Sequence, residues 1–231
     1  MSLTSPLPHV AEMSAGCRLA GVPGCRDGQA AEKPGGHAEG PTGRATGRVA
    51  GVSALTFLPA AENPHLLAAP VAAAIAALDP ATAARIEVAA VDPALADTAA
   101  FCAAYGQSLD ISANCLVVQG TRGGVTSTAA CLALATTRLD VNGAVRRLLD
   151  ARKATFAPME DAVAQTGMEY GGITPLGIPS DWRLLLDARV AALPRAVIGA
   201  GIRGAKLFLP GEVLASLPGA EVIDDLAKPV A

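Results

Sequence analysis

The sequence predicts a mixed α/β fold of the α+β type, built on a mixed sheet without a doubly wound repeat. Three observations carry this. Strand-like and helix-like stretches are interleaved but do not alternate regularly. Two pairs of strand-like runs, 115–119 with 129–136 and 196–200 with 205–209, are separated only by glycine-containing turns. Such hairpins force antiparallel pairing, whereas a parallel sheet needs a crossover after every strand.

The elements follow from local signals. Residues 71–78 read as a short helix behind Pro70, a favoured first-turn residue. Residues 85–91 (RIEVAAV) are a strand stopped by Asp92-Pro93. Asp97 or Thr98 caps a helix over 99–105, with Gly106 just past its end. The β-branched run 115–119 and the run 129–136 flank a Gly-rich turn as a hairpin. Asp140 or Asn142 caps a helix reaching Arg152, with Val141, Val145, Leu148 and Leu149 on one face. Pro158 opens a helix that passes Ala162 and closes at Gly167; a loop spans 171–179. Strands follow at 183–187, 196–200 and 205–209, the last two about a turn at 201–204. Pro210 starts a helix that ends at Pro218-Gly219, and 221–226 is a last strand.

Residues 1–51 read differently. From Arg26 to Gly51 the chain is rich in Gly, Ala and Thr and poor in large apolar side chains, too little to offset the entropy of ordering. This predicts a disordered, low-complexity extension at 1–51, a domain at 52–231, and a natural start of translation near Val52.

Composition narrows the partners. The 231 residues are 51% apolar but include only four Phe, two Tyr and one Trp, so the core is predicted to be Leu, Val, Ile and Ala. A formal net charge of −3 argues against a general DNA binder and leaves any nucleic-acid contact to a local basic face. Arg138, Arg146, Arg147, Arg152 and Lys153 form one. Such charges are ordinarily a solvated helix face; they can also receive the phosphates of an RNA end. Cys17, Cys25, Cys102, Cys115 and Cys131 are odd in number and show no paired-ligand spacing, which points to a reducing compartment. No secretory pattern opens the chain, and the longest apolar stretch, 66–78, is broken by Pro70. A cytoplasmic protein without a membrane partner is predicted.

Histidine is scarce. His9 and His37 fall in the extension and His65 at the edge of the domain. A Ser-His-Asp triad, a Cys-His pair or a zinc site cannot be assembled from one peripheral imidazole. Hydrolysis would then rest on positioning and on backbone amides that stabilise an oxyanion. Gly171-Gly172-Ile173-Thr174-Pro175 suits that role, because two glycines let backbone approach a ligand; it equally suits a plain tight connection. Gly199, Gly201 and Gly204 match GxGxxG after a strand, and Asp224 stands at ribose-ligand spacing. The strand-like AKLFL after Gly204 and the break at Pro210-Gly211 make this a hairpin turn, with a nucleotide-binding oxidoreductase as a distant reading.

These segments together resemble a known family. MEYGGITPLG (168–177) is similar to the glycine-and-proline active-site loop, GxxxP, of the YbaK-type domains associated with prolyl-tRNA synthetase. VIGAGIRGAKLFLPGEVLASL (197–217) resembles the family's late hairpin and following helix, and 135–162 the strand, helix and short strand before the loop. The resemblance covers 114–226 well and 53–113 more loosely. It implies a mostly antiparallel, curved, barrel-like sheet with flanking helices. The activity it implies is hydrolysis of the ester of a mischarged tRNA in trans, with no cofactor and no metal. Implied partners are aminoacyl-tRNA and an aminoacyl-tRNA synthetase.

The family's functional lysine opens a strand, and the matching stretch here is Ala113-Asn114-Cys115-Leu116, so Asn114 takes its place. The resemblance thus implies catalysis by Asn114 and the amides of Gly171 and Gly172; Lys206 and Arg203 near the hairpin are candidates to restore the positive charge, Lys206 equally reading as an exposed strand residue. Tyr170, Ile173, Thr174, Pro175, Gly199 and Gly201 would contact substrate, and Arg146, Arg147, Arg152 and Lys153 the tRNA. Met168 and Leu176 are further pocket candidates by proximity in sequence and, like Tyr170 and Ile173, equally suit the core. The alternative is a non-catalytic relative that binds tRNA, an aminoacyl-like ligand or a synthetase.

Overall fold

The computed structural model describes residues 54–230; the predicted extension at 1–51, with its start-site reading at Val52, lies outside the described residues. The chain enters through β1 (Leu58–Pro59), α1 (Ala69–Ala76), α2 (Pro80–Ala83), β2 (Glu87–Ala90) and α3 (Thr98–Tyr105). A long hairpin follows, β3 (Ala113–Arg122) and β4 (Val125–Leu134), then β5 (Thr137–Leu139). A π-helical turn (Val141–Val145) runs into α4 (Arg146–Leu148), β6 (Lys153–Phe156) and α5 (Met159–Thr166). The chain closes with β7 (Arg183–Asp187), α6 (Ala188–Ala191), β8 (Ala196–Gly199), β9 (Ala205–Leu209), α7 (Gly211–Ala215), β10 (Ala220–Ile223) and β11 (Ala227–Pro229).

Local chemistry sets several of these boundaries. The Asp97 carboxylate accepts from the Ala99 and Ala100 amides and starts α3, and Gly106 ends it at φ +66°. The β3–β4 turn is a two-residue loop, Gly123 and Gly124, both at positive φ as a tight hairpin twist demands. Pro158 precedes α5, and Gly167 stops it at φ +64°.

Three elements depart from the sequence reading. The helix predicted to reach Arg152 stops at Leu148. Asp140 does cap it, accepting from Gly143 N–H at 3.0 Å, but Asp150 takes φ +48° and the chain reverses to lay β6 against β3, Lys153 opposite Thr121. Gly120 on β3 makes room: a β-carbon there would stand 2.8 Å from Ala151 Cβ. The predicted last strand divides at Asp225 (φ +55°), because β11 leaves to pair with β5. Helix α6, unforeseen, is capped by Asp187.

The mixed sheet is realised as predicted. One sheet, β1-β2-β9-β8, is antiparallel throughout; the other, β10-β7-β4-β3-β6, is antiparallel around β3 and parallel around β7. A parallel bridge between Ser112 and Val197 joins them, and among the described residues the sheets do not close into a barrel. Both inner faces bury one core, with Leu132, Leu186, Ile198 and Leu207 meeting Val71 and Ile75 of α1. The outer face of the first sheet is covered by α3, where Phe101 packs with Val197 and Phe208.

Asp187, fully buried at the end of β7, ties these parts together. It accepts from Arg189 Nε and Nη2, each at 2.8 Å, from the Arg189 amide at 3.0 Å and from the Ala227 amide at 3.0 Å. Burial alone would push its carboxyl up; the hydrogen bonds from Arg189 and Ala227 outweigh that and hold it below the usual aspartate value of 3.8. The stabilisation is therefore complete above the ordinary carboxylate range and is lost as pH falls through the depressed value. Asp187→Ala removes the acceptor of the Arg189 side chain and of the buried Ala227 amide and is expected to cost about 1.5–3 kcal/mol, read as a fall in the urea midpoint at neutral pH. The variant's disadvantage should shrink in acid.

Candidate active site

A cleft of about 840 Å³ opens where the two sheets meet α3 and the Gly171 loop. Its walls are the N-terminus of α3, the start of β3, the corner between β6 and α5, the Gly171 loop and the β8–β9 hairpin. Strand alternation explains the placement of Lys206 in it. On β9, Leu207 and Leu209 point into the shared core, so Lys206 and Phe208 turn to the opposite face under α3. Lys206 is only 6% exposed. Its Nζ donates to the Ala96 carbonyl at 2.8 Å and stands 5.6 Å from the centroid of the Phe101 ring. Burial pushes its pKa below the ordinary 10.5; the Asp97 carboxylate works against that shift and Arg203 adds to it.

Asn114, at the head of β3, lines the same cleft. Its Oδ1 accepts from Thr98 Oγ1 at 2.7 Å, which leaves the carboxamide N–H groups as its donors. Beside it Cys115 also borders the cleft, but burial pushes that thiol up to about 12, so no thiolate nucleophile exists there at neutral pH. No histidine lines the cleft, and among the described residues no three His, Cys, Asp or Glu side chains lie close enough to hold a metal ion.

The glycine loop is pressed backbone to backbone against the β8–β9 turn. A β-carbon on Gly199 would stand 2.3 Å from the Gly172 carbonyl oxygen, and one on Gly172 would stand 2.8 Å from the Ile202 backbone. Gly201 N–H donates to Gly172 O at 2.8 Å, and Glu169 N–H to Gly201 O at 2.8 Å. The Gly172 amide itself donates to Glu169 O at 2.9 Å. Gly171 takes φ +82°, and a β-carbon there would lie 2.8 Å from Arg203 Nη1. The Arg203 guanidinium bridges two loops, donating to the Tyr170 carbonyl at 3.5 Å and to the Pro93 carbonyl at 3.1 Å.

The cleft thus gathers Asn114, Tyr170, Gly171, Ile173, Gly199, Arg203 and Lys206. It does not gather the other predicted residues. Gly172, Thr174 and Pro175 are buried behind the loop, and Gly201 is wedged on Ala68 and Val71 at the start of α1. Met168 and Leu176 are core. Arg146, Arg147, Arg152 and Lys153 are exposed but lie outside the lining; Lys153 is three residues along β6 from Phe156 at the cleft edge, about 10 Å away. Sequence reasoning missed Asp97, Thr98, Phe156 and Met159. Asp97 was legible as a helix cap, but its place beside Lys206 depends on how α3 crosses β9.

The model of the aminoacyl-tRNA editing domain matches residues 92–217, a stretch that contains every residue of the lining. The chain belongs to this family. No curated protein matches it in sequence. Among solved structures, a candidate trans-editing enzyme for prolyl tRNA synthetase superposes with a TM-score of 0.55 at 22% identity, covering 67% of this chain and 100% of that one. The hypothetical protein APE2540 gives 0.55 at 22% identity over 62% of this chain and 93% of its own. A designed scaffold for linear epitopes gives 0.58 at 22% identity, covering 71% and 97%. These likenesses show a shared fold. No helix among the described residues is long and apolar enough to cross a membrane.

Two outcomes follow. In NMR titration the Lys206 ammonium should lose its proton at a midpoint below 10.5, and Asp97→Asn should lower that midpoint further. Gly199→Ala should lower stability by about 1–3 kcal/mol in denaturant, because backbone cannot yield to the new methyl as a side chain can. Gly106→Ala, with open space around it, should show only the strain of its left-handed backbone, about 1 kcal/mol.

Proposed function

We propose that the cleft hydrolyses the ester that joins a misattached amino acid to the terminal ribose of a tRNA, acting in trans. Family membership supplies the substrate class. The observation that carries the mechanism is the convergence of a buried ammonium, Lys206, a carboxamide donor, Asn114, and the Gly171 backbone on one cleft.

Water attacks the ester carbonyl carbon, and negative charge grows on the carbonyl oxygen. Lys206, desolvated and fixed by the Ala96 carbonyl, is suited to stabilise that charge, since a donor already oriented in a low-dielectric site needs no reorganisation. The Asn114 N–H groups and the Gly171 backbone orient the ester. The C–O bond to the ribose then breaks. One of the water's protons passes to the departing ribose oxygen and the other to solvent, and the amino acid leaves as a carboxylate. Arg203 acts as a positioning residue, holding the loop through the Tyr170 carbonyl. Tyr170 and Ile173 wall the space for the amino-acid side chain.

The test is deacylation of tRNAs mischarged with Ala, Ser, Cys or Thr. One ester should turn over. Lys206→Ala should lower kcat/KM about 100- to 1000-fold, as loss of an oxyanion donor does, while Cys115→Ala stays near the parent value. Enzymatic rate above background should fall as pH rises through a midpoint below 10.5, because the charged form of Lys206 is the active one. Folded protein that turns over none of the panel would instead be a non-catalytic relative that binds the tRNA or a synthetase.

A further inference from the structure

A second cleft, of about 770 Å³, runs along the other side of β6 and is lined by Arg138, Asp140, Asn142, Thr155, Lys228 and Phe156, among others. Phe156 borders both clefts. It stands on the edge strand of its sheet and is 56% exposed, in a chain with few aromatic residues. Tyr170, 61% exposed, lines the active cleft as well.

The second cleft carries one positive charge in excess, from Arg138 and Lys228 against Asp140. Arg138 and Lys228 face each other across the β5–β11 ribbon, an arrangement that repulsion disfavours unless an anion compensates. Asp140 takes Lys228 at 3.1 Å, and no carboxylate among the described residues pairs with Arg138. From 138 to 153 the chain also brings Arg146, Arg147, Arg152 and Lys153, against Asp140 and an Asp150 that is paired with Arg122 at 3.0 Å. On a protein of net charge −3 this is a local excess of positive charge. An unpaired guanidinium, Arg138, with a second cation opposite it and an exposed ring alongside, is the chemistry that holds single-stranded nucleic acid, phosphates on the cations and a base on the ring.

Resting on the deacylase reading for the identity of the RNA, we propose that the unpaired 3′ strand of the tRNA leaves the active cleft across Phe156. One base stacks on that ring, and the phosphates that follow pass to Arg138 and Lys228 in the second cleft. The path gives the enzyme a hold on the RNA independent of the amino acid, on side chains that take no part in the chemistry.

The experiment measures binding, by fluorescence anisotropy over a range of salt, of an uncharged acceptor-stem hairpin with its single-stranded 3′ tail and of the same hairpin made blunt. The full chain should prefer the tailed hairpin. Phe156→Ala should weaken it about tenfold and leave the blunt one unchanged. Arg138→Ala should lower the slope of log affinity against log salt by about one. Tailed and blunt hairpins bound alike by the parent protein, or variants that bind as the parent does, would overturn the path. Neither result touches hydrolysis, which is read separately as turnover of an aminoacyl ester of adenosine by the parent protein: turnover there, with tailed and blunt hairpins bound alike, would overturn the path and leave the deacylase reading standing.

Discussion

Backbone lies on backbone where the Gly171-Gly172 loop crosses the β8–β9 turn, and the geometry of the cleft hangs from that contact. With no β-carbon at Gly172 or Gly199, the chains approach closely enough for Gly201 N–H to reach the Gly172 carbonyl and Glu169 N–H to reach the Gly201 carbonyl. Because β9 begins directly after this turn, the hydrogen bonds also fix the loop relative to Lys206. Arg203 extends the clamp to a third segment through the Pro93 carbonyl, next to the Asp97 cap. Stretches more than a hundred residues apart in sequence thereby share one rigid frame. A site that works by positioning needs such a frame, since small displacements of its donors cost rate.

Two buried charges show how differently a fold treats a structural and a chemical group. Asp187 is surrounded by donors from Arg189 and the Ala227 amide, so its desolvation is offset on every side. Lys206 is nearly as deeply buried, yet its one hydrogen bond is to the Ala96 carbonyl, with the Phe101 ring as a further contact. A three-donor ammonium with a single acceptor is under-satisfied, and burial, with Arg203 adding to it, depresses its pKa. Partial satisfaction of that kind marks a cleft-facing group rather than an anchor. In the deacylase reading, the developing oxyanion is the acceptor that the resting protein does not supply.

What was legible in the sequence is what neighbouring residues decide. The Gly123-Gly124 turn, the Asp97 cap and the glycine stops at Gly106 and Gly167 are local, and each lies where the spacing puts it. The loop and hairpin were also visible as motifs. Their division of labour was not: Thr174, Pro175 and Gly201 sit inside the same motifs but serve to seat the loop, and only the partner surfaces of α1 and β8 decide which way each residue faces. The π-turn after Asp140 was hidden because its amphipathic pattern is that of a longer helix, and it is the pairing of β6 with β3 that cuts the helix short. Alternation in AKLFL puts Lys206 and Phe208 on one face, but the burial of Lys206 depends on α3, which no local pattern encodes.

Asn114 and Lys206 are best understood together. Two ammonium groups lining one desolvated cleft would each lower the other's pKa, so a site that takes its charge from β9 gains by having a neutral donor on β3. Asn114 fits that arrangement: its oxygen is held by Thr98, and its N–H groups contribute direction without charge. The Asp97 carboxylate, at the head of the helix that covers Lys206, works against the lowering of the Lys206 pKa by burial and by Arg203. In the deacylase reading the positive charge has moved from one strand to another while the glycine loop opposite has stayed, and the oxyanion is met from β9 instead of β3. The loss of lysine at the head of β3 is therefore no argument against catalysis, provided that Lys206 remains charged at the pH of the reaction.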